Sequence, residues 1–383
     1  MDASVERVTE LLSLRVLNRS TLQRQGLLEP FSGTVAEVVD RLAGLQAQHA
    51  DPPHIALWSR RAGHRLTDLD DALTDRSVVK ATLVRSTLHI VAASAYPDLN
   101  RASAVSRLAT WGPSARRAEV DLLGLNAEVR AFCSAPRTGP EIADHLDREH
   151  AGVDAAGSIP DGVRNAWFQL GTAGGGLVHV PPGGHWHRHD RARLVDARCW
   201  LGEFADPSPE DALQGTVERN LAAYGPASLE DLMKWSGQSR KGAVRAALDA
   251  LDDRLVHHRG EDGRDLLDLV GLEPADDGPA PPRFLARWDS ALIAYAERDR
   301  ILPSEHRAAV AKKNGDFLPS FLVDGFVAGL WTVTTKKGRA VLELQPFGAV
   351  STTDRAALEE TAEALVRYVE PDADAHEVRW SPS

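Results

Sequence analysis

One pattern recurs three times in the first 271 residues and limits what this chain can fold into. Helices with apolar residues spaced near 3.6 lead into two short β-rich segments separated by a turn. In the middle copy, Asn126 to Ser134 reads as a first helix and Thr138 caps a second that runs through His150, with Pro140 in its opening turn. Pro160 to Leu170 reads as a third helix, ended by Gly171 and the glycines at 174 to 176. LVHV (177 to 180) then turns at PPGG and returns as HWHRHD (185 to 190).

The last copy repeats this order. Pro209 to Tyr224 is a helix, Ser228 caps a short one to Trp235, Ser239 to Leu251 is a third, and 255 to 270 is a hairpin turning at Asp262 and Gly263. The first copy is looser, with helices near 5 to 17, 34 to 46, 53 to 62 and 67 to 75. They lead into VVKATLV and STLHIV, which turn near Arg85.

Helices followed by a hairpin are the winged-helix pattern, and a generic mixed α/β fold is the competing reading. The expected architecture is α+β: three tandem winged-helix modules at 1–122, 123–205 and 206–271, then a β-rich domain at 283–383. The run EPADDGPAPP after Gly271 marks the boundary. Alternation in FLVDGFVAGLWTV and RAVLELQPFG gives the last domain its strands, a helix over 354 to 369 closes it, and the acidic tail beyond is expected to be solvated. The length, 383 residues, fits about two to three domains that share or stack their cores.

Charge does not point to a partner by itself. The net charge is -11, yet residues 1 to 200 balance at 23 basic and 23 acidic side chains, so the deficit lies wholly in the second half. A basic face remains compatible with that distribution. No apolar run reaches the length of a membrane helix, and MDASVERVTELL lacks the basic flank and apolar core of a signal peptide. The two cysteines, Cys133 and Cys199, are too few for a disulfide framework or a cysteine zinc site. A cytoplasmic protein is expected, and nothing calls for a cofactor or an obligate protein partner.

Several chemical signals fail on inspection. His185, His187 and His189 would share one face of a strand, a spacing that can bind zinc or copper, but no second ligand cluster accompanies them. The expectation is no metal, with a metal-dependent hydrolase as the reading those histidines would carry. GTAGGG leaves a helix instead of opening one, so it is a turn and not a phosphate loop, and no G-x-S-x-G occurs.

What remains is GLQAQHADPPHIALWSRR (44 to 61). On a helix, Gln46 and Gln48 would lie about 200° apart; on an extended turn they would share a face. Pro52 disfavours helix at Asp51, so the chain is expected to leave one helix here and begin another near Pro53. Carboxamides have no useful pKa but both donate and accept hydrogen bonds, so they can orient a water or a sugar oxygen. Such a pair suits hydrolysis of a bond whose leaving group is already activated, such as the glycosidic bond of an N-alkylated, cationic purine. Two surface amides at a helix end are the ordinary alternative.

GLQAQHADPPHIALWSR, VRSTLHIV (84 to 91), LAAYGPASLEDLMKWSG (221 to 237) and FLARWDSALIAYAERDRILP (284 to 303) together resemble the AlkZ-like winged-helix DNA glycosylases, in that family's order. The resemblance implies three winged helices packed with a C-terminal β-barrel in a C-shaped body that cradles duplex DNA. It also implies metal-free, monofunctional excision of alkylated purines, including bulky N7 adducts and interstrand crosslinks, in the service of self-resistance to a DNA-alkylating natural product. The family's Gln-hydrophobic-Gln motif falls on Gln46, Ala47 and Gln48, and the second glutamine places the chain with the crosslink and bulky-adduct branch. The sequence departs at His49-Ala50, which precede Asp51-Pro52, and at Ser86, where glycine is common.

On this reading Gln46 and Gln48 are catalytic, and the partner is duplex DNA containing alkylated purines. Arg85, His89, Arg188, Arg191, Arg240, Lys241, Lys336 and Lys337 are the candidate DNA contacts. Trp58 and Trp111 read as core. A crosslinked base cannot be flipped out freely, so the glutamines are expected to reach the sugar from one groove. The alternative from another class is a non-catalytic winged-helix DNA-binding protein, which should have strongly basic recognition helices; Pro160 to Leu170 has only Arg164.

Overall fold

The computed structural model describes residues 10–381, a mixed α+β arrangement with three sheets. None of the three repeats keeps its sheet to itself. Leu45–Gln46, Leu88–Ala92, Val78–Thr82, Leu177–His179, Arg193–Asp196 and Arg137–Thr138 pair in that order, antiparallel throughout. The first and second repeats therefore join where Lys80 faces His179. Val79, Ala81, Val91 and Val178 pack into one core and Val78, Ile90 and Leu45 into another. Burial of both faces, with side chains alternating between them, explains why VVKATLV reads as a nearly unbroken apolar run.

The third repeat has the expected elements: helices Pro209–Tyr224, Leu229–Ser236 and Lys241–Asp249, then strands Leu255–Gly260 and Asp265–Leu269. Its hairpin gains a third, parallel strand, Glu10–Leu12, so part of the helix expected over 5 to 17 is strand; residues 5 to 9 lie outside the described ones. The helix begins at Leu14, where Ser13 accepts from the N–H of Val16, and runs to Arg24. It crosses the interior. Arg24 makes a two-pronged ion pair with buried Asp268, at 2.7 Å for both bonds. Arg15 and Arg19 both meet Asp324, and they also hold the 273 to 282 segment through Asp277 O and Gly278 O. That segment has no regular structure, as expected, but it is pinned along a helix.

The C-terminal sheet has the order Arg283–Leu285, Ser320–Val323, Phe326–Lys336, Arg339–Pro346, Ala375–Trp380. Thr352–Val369 lays Leu358, Ala362, Leu365, Val366 and Val369 on it, an i, i+4, i+7, i+8, i+11 stripe.

Four expectations are corrected. First, the C-terminal sheet is open: its two end strands do not pair with one another, so no closed barrel forms. Second, the tail is not wholly solvated, because Ala375–Trp380 adds a parallel strand against Arg339–Pro346. Third, 185 to 190 is not a strand. The return strand is Arg193–Asp196, and the histidine-rich stretch is a turn with His187 at φ 53, so its residues have no two-sided alternation. Fourth, the helix expected over 160 to 170 covers only Ala166–Gly171, after a turn in which Gly162 has φ 81.

Candidate active site

The helix Val35–Arg41 ends well before the glutamines, and Ala43 and Gly44 turn the chain with φ of 53 and 94. A Cβ on Gly44 would meet Val91 Cγ1 at 2.8 Å and Ile90 O at 3.2 Å. Glycine is what lets this segment lie down against Leu88–Ala92. Leu45 then faces Ile90, Gln46 faces His89, and the N–H of Ala47 donates to Leu88 O at 2.7 Å. Leu45 and Ala47 are buried, Gln46 is half-buried and Gln48 is exposed. This is the period-2 pattern of extended backbone: both glutamines turn away from the side that Leu45 and Ala47 bury. The next helix, Asp51–Trp58, starts two residues earlier than Pro52 suggested, with both prolines in its first turn.

Both amide oxygens bond to one turn. Gln46 Oε1 accepts from Arg85 Nη2 at 3.1 Å, and Gln48 Oε1 accepts from the Leu88 N–H at 2.9 Å. Each carbonyl keeps a second lone pair, and neither Nε2 donates within the described residues, so each amide can still hold a water or a sugar oxygen. The turn itself is strained: Arg85 and Ser86 have φ of 54 and 57, a region non-glycine residues seldom occupy, and Ser86 is where the family commonly has glycine.

Arg85 also donates to Trp235 O at 2.8 Å. Burial lowers its guanidinium to about 10, so it remains a cation at neutral pH, and no carboxylate pairs with it among the described residues. His89 is 3% exposed. Burial, reinforced by the Arg85 charge, pushes it down to about 3, and its Nδ1–H donates to Thr87 O at 3.0 Å. His89 is thus a neutral support inside the hairpin and offers no charge to a phosphate.

The four stretches that carried the resemblance meet here. Arg85 bridges the first two through Gln46 and reaches the third at Trp235 O. Buried Arg60 pairs with buried Asp289 at 2.6 Å, and Ser59 Oγ donates to Phe284 O at 2.5 Å, which ties the first stretch to the fourth. Tyr295 donates to Tyr224 O at 2.8 Å and the Ala296 N–H to Asp231 Oδ1 at 2.8 Å, closing the ring from fourth to third. His49, directly after the glutamines, stacks on Trp288 with centroids 5.1 Å apart and planes 18° apart.

Gln46 borders a narrow cleft beneath Trp288 and Asp289. Gln48 stands on a larger hollow of about 540 Å³ with Leu88, Thr110, Trp111 and Phe168. Trp111, expected in the core, is half-buried: it packs against the core of the second repeat and also lines that hollow, as does Phe168, which was not singled out in the sequence at all. Aromatic residues at helical spacing look the same whether they face a core or a cavity, so only the fold separates the two.

The remaining candidates share no hydrogen bond or ion pair with the glutamines. Arg188 is exposed and bidentate to Asp190 at 2.6 and 3.1 Å; Arg191 is exposed nearby. Their loop is fastened to the first repeat, where Asp70 accepts from the Trp186 N–H and Asp51 from the His187 N–H. Arg240 is exposed at the start of Lys241–Asp249, and Lys241 pairs with Glu230 at 3.1 Å. Lys336 and Lys337 are exposed at the turn between Phe326–Lys336 and Arg339–Pro346. Among the described residues no helix is long and apolar enough to cross a membrane.

Two amides anchored on one turn, with the Arg85 guanidinium beside them and no carboxylate bonded to either amide among the described residues, make up the candidate site. A family model described as DNA glycosylase AlkZ-like matches residues 39–368. The chain belongs to that family, which makes it a DNA glycosylase, a hydrolase of N-glycosyl bonds, and decides against a purely DNA-binding role. The interstrand DNA cross-link repair glycosylase of Streptomyces sahachiroi is 27% identical over 364 residues, covering 90% of this chain and 94% of that protein. The solved structure of Streptomyces sahachiroi DNA glycosylase AlkZ shares the fold, with a TM-score of 0.81 at 23% identity over 97% of this chain and 100% of that one.

Proposed function

We propose that this glycosylase excises alkylated purines, with bulky N7-alkylguanines and interstrand crosslinks as its targets, and that Gln46 and Gln48 carry the reaction. The observation behind this reading is the shared anchoring of both amides on the 85 to 88 turn, with hydrogen-bonding capacity left on each. Alkylation at N7 makes the purine cationic, so the C1′–N9 bond breaks with its electron pair going to N9 and no strong acid is needed. The amides position a water whose oxygen bonds to C1′, stabilise the sugar cation as it forms, and let the water's proton pass to solvent.

Three winged helices form the DNA-gripping body in this proposal, shaped as a C around the duplex, with the C-terminal sheet in the barrel's place. Arg85 is the cation nearest the chemistry and meets a phosphate beside the lesion. Arg188, Arg191, Arg240, Lys241, Lys336 and Lys337 supply weaker, sequence-independent contacts along the backbone. The relative named for interstrand crosslink repair supports the same substrate class here, and protection against a DNA-alkylating natural product is the corresponding biological role. The test is incubation with duplexes holding one N7-methylguanine, one bulky N7 adduct or one crosslink. Alkali-labile abasic sites at the lesion are expected, and intact strands with all three would reject the proposal.

A further inference from the structure

The hollow beside Gln48 presents two aromatic rings and more apolar than polar surface. Its walls, contributed by the first and second repeats, mix apolar side chains such as Leu88, Trp111 and Phe168 with polar ones such as Ser86, Thr110 and Gln169. Two ionisable groups reach it, a buried arginine and a neutral histidine. Arg107 is 4% exposed; Nη1 donates to Thr82 O at 2.9 Å and Nε to Ala173 O at 3.2 Å, while its buried Nη2 has no hydrogen-bond partner among the described residues. His179 is pushed down to about 3 by burial and then by the neighbouring Lys80 ammonium, so it is neutral.

We infer that this hollow receives the flat, apolar body of a bulky N7 adduct, holding it between Trp111 and Phe168 while the purine it modifies stays at the duplex. The inference rests on the glycosylase reading above and names the substrate class more narrowly. Three observations carry it. The hollow begins at Gln48, whose amide oxygen is bonded to the N–H of Leu88, another wall residue. Its volume, about 540 Å³, falls in the range of sites for drug-sized ligands and well exceeds what one purine needs. Its half-buried aromatic rings offer stacking surface, and the one cation in its lining, Arg107, is buried and held to backbone carbonyls, which favours an uncharged polycyclic group over a phosphate. A lesion carrying only a methyl group would leave the hollow empty and forgo that binding.

The test compares two duplexes, one with N7-methylguanine and one with an N7-guanine adduct bearing a fused three-ring aromatic group, under single-turnover conditions. Phe168→Ala and Trp111→Ala are measured beside the wild type, with Phe168→Leu and Trp111→Leu as better-packed substitutes and thermal melting as a check on folding. The ratio of aromatic-adduct to methyl excision is expected to fall tenfold or more in the alanine variants, about 1.4 kcal/mol, and to fall less in the leucine variants. Equal losses on both lesions would mean that the rings hold the purine itself, and an unaltered ratio in folded variants would mean that the hollow binds nothing; either result overturns the inference. If the wild type released neither lesion, the proposed chemistry would fail first, so the two failures are distinguishable.

Discussion

The first and third repeats each end in an antiparallel hairpin, and the two differ in where the left-handed backbone falls and in whether their cations are matched. In the third, the turn carries Asp262 and Gly263, with the φ of 81 falling on glycine. Its cations are matched: Arg259 with Asp265 at 2.5 Å and Arg264 with Asp262 at 2.6 Å, while Arg254 at its base pairs with Glu218. In the first, the left-handed backbone falls on Arg85 and Ser86 and the arginine has no carboxylate among the described residues, while each hairpin buries an imidazole, His89 here and His258 in the third. Local rules are kept where a hairpin is only structure and broken where the two amides are anchored. Broken rules of this kind concentrate at working sites.

The largest break in that comparison should come from the amides. Gln46→Ala or Gln48→Ala is expected to slow single-turnover excision by about 10²–10³, the usual cost of losing one preorganised hydrogen-bonding group. Next is the unmatched cation. Arg85→Ala should lower excision about 10- to 100-fold and reduce the salt dependence of DNA affinity by about one phosphate contact, because it removes both the Gln46 anchor and a charge. Arg85→Lys should keep the salt slope but not the full rate, since an ammonium lacks the planar fork that reaches Gln46 and Trp235 O together. A lysine variant with normal excision would separate Arg85 from amide positioning.

A smaller effect sharpens the contrast through pH. His89 and His64 are buried and pushed down to about 3, below their ordinary 6.5. The unfolded chain binds protons there that the native state refuses, so stability is full above about pH 6.5 and is lost as pH falls toward 3. The loss between pH 7 and 5 is about 2 kcal/mol for each imidazole. Urea denaturation at both pH values should show it, and His89→Gln should flatten the dependence by roughly one imidazole's share. The smallest effect belongs to the third hairpin: Asp262→Ala should cost below about 1 kcal/mol in the same denaturation series, the range for an exposed pair, with excision at the wild-type rate.

How much of this was legible in the sequence follows from the same comparison. The third repeat obeys local rules, so the Ser228 cap, the helix to Tyr224 and the turn at Asp262 and Gly263 were all readable. The histidine-rich stretch 185 to 190 misled because alternation of residue types imitates a strand; what fixes it as a turn is the docking of Asp51 and Asp70, more than a hundred residues away in sequence. Strands Glu10–Leu12 and Ala375–Trp380 were missed for a related reason, since each exists only by adding in parallel to a distant strand. Gln46 and Gln48 were visible as a pair, but their extended backbone was not, since the helix expected over 34 to 46 stops at Arg41 and Asp51, where Pro52 disfavours helix, is helical. Nor was their joint anchoring on the 85 to 88 turn, because it depends on a glycine-permitted approach across a sheet. The hollow beside Gln48 was invisible, being assembled from two repeats that each look complete alone.

The central claim is that two neutral amides, held on one strained turn, perform the cleavage without contributing to the grip on DNA. Its most direct test is the double variant Gln46→Ala/Gln48→Ala on a duplex with a single N7-methylguanine, with strand scission after alkali and duplex affinity read in parallel. The account predicts abasic-site formation close to the spontaneous rate and an affinity within about threefold of the wild type, less than the 1.4 kcal/mol of a tenfold change. Excision at the wild-type rate by a folded, DNA-bound double variant would contradict it.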